Sequence, residues 1–176
     1  MTIMTTPKSD FEFRGINHLA LTCADMDRTI AFYRDVLGMP LVKTIDFPND
    51  RGKHYFFDVG NGDTIAFFQF NQGPAVVDQK ALNKMAATPG MMNHVAINVS
   101  NEKIEAYRQK LVELGIEVTE VVNHDDTPSG ASPDVNESTF VRSIYFRDPD
   151  GIQLEFAAWS RPLMAQDVRE DLRASS

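Results

Sequence analysis

Apolar residues along the chain repeat with two different periods, one typical of strands and the other of helices. Residues 15–21, Gly-Ile-Asn-His-Leu-Ala-Leu, alternate in the manner of a strand. A helical stretch from Asp27 to Leu37 follows and ends at Gly38, a residue that suits a helix C-cap. Apolar runs at 41–42, 55–60 and 64–70 then predict three more strands. The first part of the chain therefore has the order βαβββ.

The same order recurs in the second part of the chain. Asn93-His94-Val95-Ala96 repeats the pattern of Asn17-His18-Leu19-Ala20, at a spacing of 94 − 18 = 76 residues. A helical stretch at 102–114 ends at Gly115, and apolar runs at 116–122, 144–149 and 152–158 follow. Two βαβββ modules of this kind predict an α+β fold with the helices on the outside.

These boundaries divide the chain into a single domain with two flanking segments. The domain spans 14–159, with module one at 14–70, a linker at 71–90 and module two at 91–159. The linker contains a short helical pattern at 77–86, and a polar Pro- and Gly-containing loop at 123–139 predicts turns and mobility. We expect residues 1–13 to be disordered and residues 160–176 to form a C-terminal tail.

Composition narrows the possible partners. The 176 residues carry 17 Lys and Arg against 25 Asp and Glu, a net charge of −8, which argues against binding to nucleic acid or to an anionic membrane surface. The single cysteine excludes a disulfide framework within one chain. With neither a signal-peptide pattern nor a long apolar run, the sequence predicts a cytoplasmic protein without a membrane span.

Two of the four histidines occupy the same position of the repeat. Alternation along a strand places His18 on one face with Ala20, and His94 on one face with Ala96, away from the residues that lie under the helices. A single histidine on a strand is often only structural. Two modules related by a pseudo-twofold axis, however, would bring both imidazoles to a shared centre.

Glu155 is the third candidate ligand. It lies in the last strand, where Leu154 and Phe156 form the apolar face and Glu155 faces the other way. Two histidines and one carboxylate suit Fe(II), Mn(II) or Zn(II) and leave coordination positions free for a substrate or O₂.

Together these residues resemble the vicinal oxygen chelate superfamily, which groups glyoxalase I, extradiol dioxygenases, methylmalonyl-CoA epimerase and the fosfomycin and bleomycin resistance proteins. The resemblance implies that both modules form one curled mixed sheet around a metal site, with His18, His94 and Glu155 as ligands. It also implies a small substrate with vicinal oxygens and a homodimer. The motifs that carry it are Gly15-Ile16-Asn17-His18, Phe32-Tyr33, Leu37-Gly38, Asn93-His94-Val95-Ala96, Tyr145-Phe146-Arg147-Asp148-Pro149-Asp150-Gly151 and Glu155.

The fourth ligand position of some family members is not matched. Glyoxalase I and the epimerase have Glu or Gln there, whereas this chain has Ala66. Gln69 lies three residues further on, and alternation places it with Ile65 and Phe67, away from Ala66. We therefore favour three protein ligands, with Gln69 as the only candidate for a fourth.

Ligand number favours an extradiol-type dioxygenase that cleaves a catechol-like aromatic substrate with Fe(II) or Mn(II); Zn(II) or Ni(II) are also compatible. Tyr145 lies 155 − 145 = 10 residues before Glu155, a spacing that resembles the tyrosine by which extradiol enzymes hydrogen-bond their substrate. His124 and His54 are the candidates for the acid–base group.

Other functions stay open. A glyoxalase I-like lyase or isomerase, or an epimerase, is the main alternative, and a non-catalytic resistance-type binding protein is the second. A thiol transferase acting on fosfomycin shares the three-ligand pattern, but its potassium loop and its Lys/Arg cluster for the phosphonate are not identifiable in this sequence.

Overall fold

A computed structural model describes residues 11–73 and 75–172. Module one begins with a strand, continues through a helix that becomes a π-helical turn, and ends with three strands. Its elements are β1 (His18–Thr22), α1 (Met26–Ile30), the π-helical turn Ala31–Val36, β2 (Leu41–Asp46), β3 (Gly52–Gly60) and β4 (Asp63–Phe70). Asp25 is the N-cap of helix α1, and its carboxylate accepts hydrogen bonds from the backbone N–H groups of Asp27 and Arg28.

Module two repeats this order after the linker helix α2 (Gln79–Ala86). Its elements are β5 (Val95–Asn98), α3 (Ile104–Glu113), β6 (Val122–His124), β7 (Ala131–Ser132), β8 (Val141–Arg147) and β9 (Gln153–Trp159). The βαβββ order is confirmed in both modules, with the two-residue strand β7 as an addition in the second.

The strands form two sheets, and the α+β class is confirmed. The first has the order β1-β4-β3-β2 and the second β5-β9-β8-β6-β7. In both sheets the first strand of the module runs parallel to the last. The expectation of a single curled sheet is not met within one chain: in the described ranges β1 and β5 each pair on one side only and do not pair with each other.

One hydrophobic core joins the modules. It contains Tyr33 and Phe67 from module one and Ile104 and Leu154 from module two. The Tyr33 hydroxyl, itself fully buried, donates a hydrogen bond of 3.2 Å to Asp148 Oδ2. The helical side of module one is therefore packed against module two, which leaves the opposite face of each sheet for a site.

The segment 123–139 is more ordered in backbone than the sequence suggests. The expected turns are present at 128–129 and 137–138, but the segment also contributes β6 and β7 and so is not a loop throughout. The cause is Asp125, which is 4% exposed and accepts hydrogen bonds from the backbone and hydroxyl of Thr127 and from the Asn136 amide. The Ser132 and Thr127 hydroxyls hold the pKa of Asp125 well below its usual range.

The chain ends are described only in part. Residues 1–10 and 173–176 lie outside the described residues, and with them most of the segment expected to be disordered. Within the C-terminal segment, Arg161 forms ion pairs with Asp167 at 2.8 Å and with Asp126 at 3.2 Å. In the described part of the chain, no helix has both the length and the apolar character needed to cross a membrane.

Candidate metal centre

Strand register relates the two sheets residue by residue. In module two, Ala96 of β5 lies opposite Glu155 of β9, which in turn lies opposite Tyr145 of β8. In module one, Ala20 lies opposite Ala66, which lies opposite Phe56. Phe56 and Ala66 thus occupy the positions in module one that Tyr145 and Glu155 occupy in module two. At these two positions only module two has polar side chains.

His94 and Glu155 form a close pair. His94 Nε2 lies 2.8 Å from Glu155 Oε2, and the Glu155 side chain is only 7% exposed. On the other side of the ring, His94 Nδ1 lies 2.6 Å from Asn93 Oδ1. A ring that donates through Nδ1 presents the Nε2 lone pair to a carboxylate, and two such acceptors need a proton or a cation between them. The pair therefore fits a divalent metal ion.

Tyr145 and His124 extend this pair. The Tyr145 hydroxyl donates to Glu155 Oε1 at 3.2 Å, and His124 Nε2 lies 3.0 Å from the same hydroxyl oxygen. Because the only phenolic proton points to the carboxylate, His124 donates through Nε2–H in this arrangement. Burial and the charge of Glu155 raise the pKa of Tyr145, so the phenol is neutral and able to donate near neutral pH.

Module one places its two histidines around an aromatic ring. The ring centroid of Phe56 lies 5.8 Å from that of His18 and 4.4 Å from that of His54. His54 also stacks on Phe68 at 3.6 Å, and its buried Nε2 has no hydrogen-bond partner among the described residues. Burial lowers the pKa of His54, and the nearby His18 adds to this effect.

The structure brings together four of the six site residues named from the sequence: His94, Glu155, Tyr145 and His124. His18 and His54 lie on the sheet of module one. Among residues 11–73 and 75–172, no three His, Cys, Asp or Glu side chains are close enough to share a metal ion.

Gln69 faces the core side of its sheet. Its Oε1 accepts the backbone N–H of Met26 at 2.9 Å, at the beginning of α1. The sequence predicted that Gln69 and Ala66 point to opposite faces of β4, and the register of β4 agrees with this prediction. Gln69 acts here as a hydrogen-bond acceptor for an α1 backbone donor, which leaves three candidate protein ligands.

Sequence reasoning missed two asparagines that contact the histidines. Asn17 Oδ1 lies 2.8 Å from His18 Nδ1, which reproduces the contact between Asn93 and His94. The signal was present, since the repeat conserves Asn-His and not His alone in the two modules.

A family model and named relatives match most of the chain. Residues 15–156 match the model of the Glyoxalase/Bleomycin resistance protein/Dioxygenase superfamily. The chain is 26% identical over 142 residues to Metallothiol transferase FosB of Shouchella clausii, covering 80% of this chain and 77% of that protein. It is 30% identical over 141 residues to lactoylglutathione lyase of Haemophilus influenzae, covering 80% of this chain and 90% of the lyase.

A solved structure shows the same fold. A glyoxylase/bleomycin resistance protein/dioxygenase domain from Frankia sp. EAN1pec superposes with a TM-score of 0.61 at 19% identity, covering 89% of this chain and all of that domain.

Proposed function

The chain belongs to the Glyoxalase/Bleomycin resistance protein/Dioxygenase superfamily, and on that premise we propose that it is a divalent-metal-dependent enzyme acting on a small molecule with two adjacent oxygens. His18, His94 and Glu155 are the proposed ligands, and Fe(II) or Mn(II) suits this set. The observation that carries the proposal is the contact of 2.8 Å between His94 Nε2 and the nearly buried Glu155 carboxylate.

A second copy of the chain supplies His18 in this proposal. Within one chain His18 lies on the other sheet, exposed, at the start of the edge strand β1. The edges at β1 and β5 are flanked by exposed apolar side chains, among them Ile16 and Met91, which are 69% and 48% exposed. A twofold contact that joins β1 of one copy to β5 of the other would cover these side chains and complete two equivalent sites.

The reaction we propose is extradiol-type cleavage of a catechol-like ring. A bound divalent ion supplies Lewis acidity that lowers the pKa of the substrate hydroxyl groups. The Tyr145 hydroxyl would hydrogen-bond a substrate oxygen beside Glu155, and His124 Nε2 would exchange a proton through the Tyr145 oxygen, 3.0 Å away. In the composite site, Phe56 and Phe68 of the second copy offer aromatic surface to the substrate ring.

Two alternatives differ in identifiable features. A lyase, isomerase or epimerase of the glyoxalase type has a fourth protein ligand, and this chain has Ala66 at that position with Gln69 directed to α1. Transfer of a thiol to a fosfomycin-like epoxide is the second candidate, favoured by the similarity to FosB over 142 residues. Its anionic phosphonate is poorly matched by the phenyl rings of module one.

Oxygen consumption distinguishes these reactions. The chain, loaded anaerobically with Fe(II) and mixed with a panel of catechols, should consume O₂ on admission of air and give a yellow ring-fission product. Tyr145→Phe and His124→Ala should retain the metal but lower kcat by about 100-fold, the size of a general acid–base contribution. His54→Ala is the matched comparison, and a larger loss there than in His124→Ala would transfer the proton role to His54.

Three other outcomes contradict ring cleavage. Turnover of a hemithioacetal without O₂ uptake would assign the lyase reaction, and thiol-dependent opening of fosfomycin would assign the transferase reaction. Binding of small molecules without turnover of a catechol, a hemithioacetal or fosfomycin would assign a resistance-type binding protein.

A further inference from the structure

We propose that Asn93 is a positioning residue that selects the imidazole nitrogen through which His94 binds its metal. This inference rests on the proposed function, because it concerns the same ligand. The amide oxygen of Asn93 lies 2.6 Å from His94 Nδ1. The Asn93 amide nitrogen Nδ2 donates a hydrogen bond of 3.1 Å to the backbone carbonyl of Ala86. Rotating the amide so that Oδ1 and Nδ2 exchange positions would break this hydrogen bond.

This anchored amide determines the tautomer of His94. A carbonyl oxygen only accepts, so His94 Nδ1 carries a proton, and Nε2 keeps its lone pair for the metal. The same nitrogen is the one that lies 2.8 Å from Glu155 Oε2. A hydrogen bond to the far nitrogen of a ligating imidazole also fixes the ring plane and makes the ring a stronger donor. Asn93 thus acts on the metal through His94 without touching it.

The anchor connects the site to the linker between the modules. Ala86 is the last residue of α2, and its carbonyl is among those at a helix C-terminus that lack a partner within the helix. The Asn93 amide satisfies this carbonyl and is thereby held in place. The linker helix therefore contributes to the orientation of His94, although it carries no candidate ligand.

Module one repeats the first half of this arrangement. Asn17 Oδ1 lies 2.8 Å from His18 Nδ1, so the same nitrogen is left free in both histidines. The contact is therefore present at the candidate histidine ligand of each module.

Mn(II) binding to three variants tests the inference. Asn93→Leu removes the acceptor and should weaken Mn(II) binding 10- to 100-fold, the usual effect of losing such a partner. Asn93→Asp keeps an oxygen acceptor for His94 Nδ1 but loses the hydrogen bond to the Ala86 carbonyl, and should weaken Mn(II) binding less than Asn93→Leu does. Asn83→Leu removes the hydrogen bonds that Asn83 accepts from Gln79 and from Arg147 but leaves the Asn93 amide, and should stay near wild type.

A spectroscopic readout accompanies the titration. In the Zn(II)-loaded protein labelled with ¹⁵N-histidine, NMR should show His94 bound through Nε2 with a proton on Nδ1. Wild-type Mn(II) affinity in Asn93→Leu, or His94 bound through Nδ1, would overturn the role of Asn93 alone. A wild-type protein that binds neither ion would overturn the proposed function together with this inference. When Asn93→Leu does not fold, Asn93→Ala takes its place in both the titration and the NMR measurement.

Discussion

The orientation of Gln69 separates two kinds of metal site that the family could build on this fold. A glutamine of β4 that points to the open face of the sheet could add a fourth metal ligand. A glutamine that points to the core instead accepts a hydrogen bond from the beginning of α1. Its Oε1 accepts the Met26 N–H at 2.9 Å. We expect Gln69→Ala to lower the free energy of unfolding by about 1 kcal/mol, the typical value of one hydrogen bond, and to leave metal content unchanged.

Urea unfolding and metal analysis of the purified variant measure both effects. Gln69→Glu, which keeps an acceptor near the start of α1, serves as the control and should retain most of the stability. Loss of most of the bound metal in Gln69→Ala would show that Gln69 is a ligand after all, and would favour the lyase or epimerase reaction.

At the scale of elements, the turn between β8 and β9 connects the modules through one carboxylate. Asp148 is 6% exposed, and its carboxylate accepts hydrogen bonds from the backbone N–H groups of Asp150 and Ile152 and from the Tyr33 hydroxyl. Burial nevertheless outweighs these hydrogen bonds and raises the pKa of Asp148 to about 6. The folded protein thus holds this proton more tightly than the unfolded chain, in which an aspartate titrates at about 4.

The stabilisation from this proton is present in full below pH about 4 and is lost as the pH rises through about 6. Relative to Asp148→Asn, the wild-type free energy of unfolding should fall by about 2 to 3 kcal/mol between pH 4 and pH 7. Urea unfolding at four pH values across this interval gives the difference. Parallel pH profiles for the two proteins would contradict the raised pKa of Asp148.

At the scale of the whole molecule, the proposed site is divided between two copies. His18→Ala and Glu155→Ala should each abolish activity in homodimers. In a mixed dimer, one of the two sites combines the intact His18 of one copy with the intact Glu155 of the other. Random mixing should therefore restore about a quarter of the wild-type sites, as expected for a twofold dimer.

Co-expression of the two variants, followed by measurement of bound metal and turnover, performs this test. Native mass spectrometry of the co-expressed variants, which differ in mass, gives the yield of mixed dimers. If the complete site instead forms within one chain, co-expression of the two inactive variants restores nothing.

Sequence by itself determined the family and the order of the elements in both modules. The repeated Asn-His and the strand–helix–strand order followed from local periodicity, because alternation and helical spacing are properties of neighbouring residues. The same periodicity placed Glu155 opposite its apolar neighbours and separated Gln69 from Ala66. Periodicity could not show which side chains on neighbouring strands contact each other. The choice between His124 and His54 as the acid–base group therefore stayed open.

Only the tertiary structure decided how the parts combine. The contacts of Glu155 with His94 and Tyr145 join residues that are 61 and 10 positions apart, and they arise from strand register. The hydrogen bond from Tyr33 to Asp148 joins the helical part of module one to the turn between β8 and β9, and within a chain His18 and Glu155 lie on separate sheets. Such placement depends on which surfaces the whole chain buries, a balance that no local pattern contains.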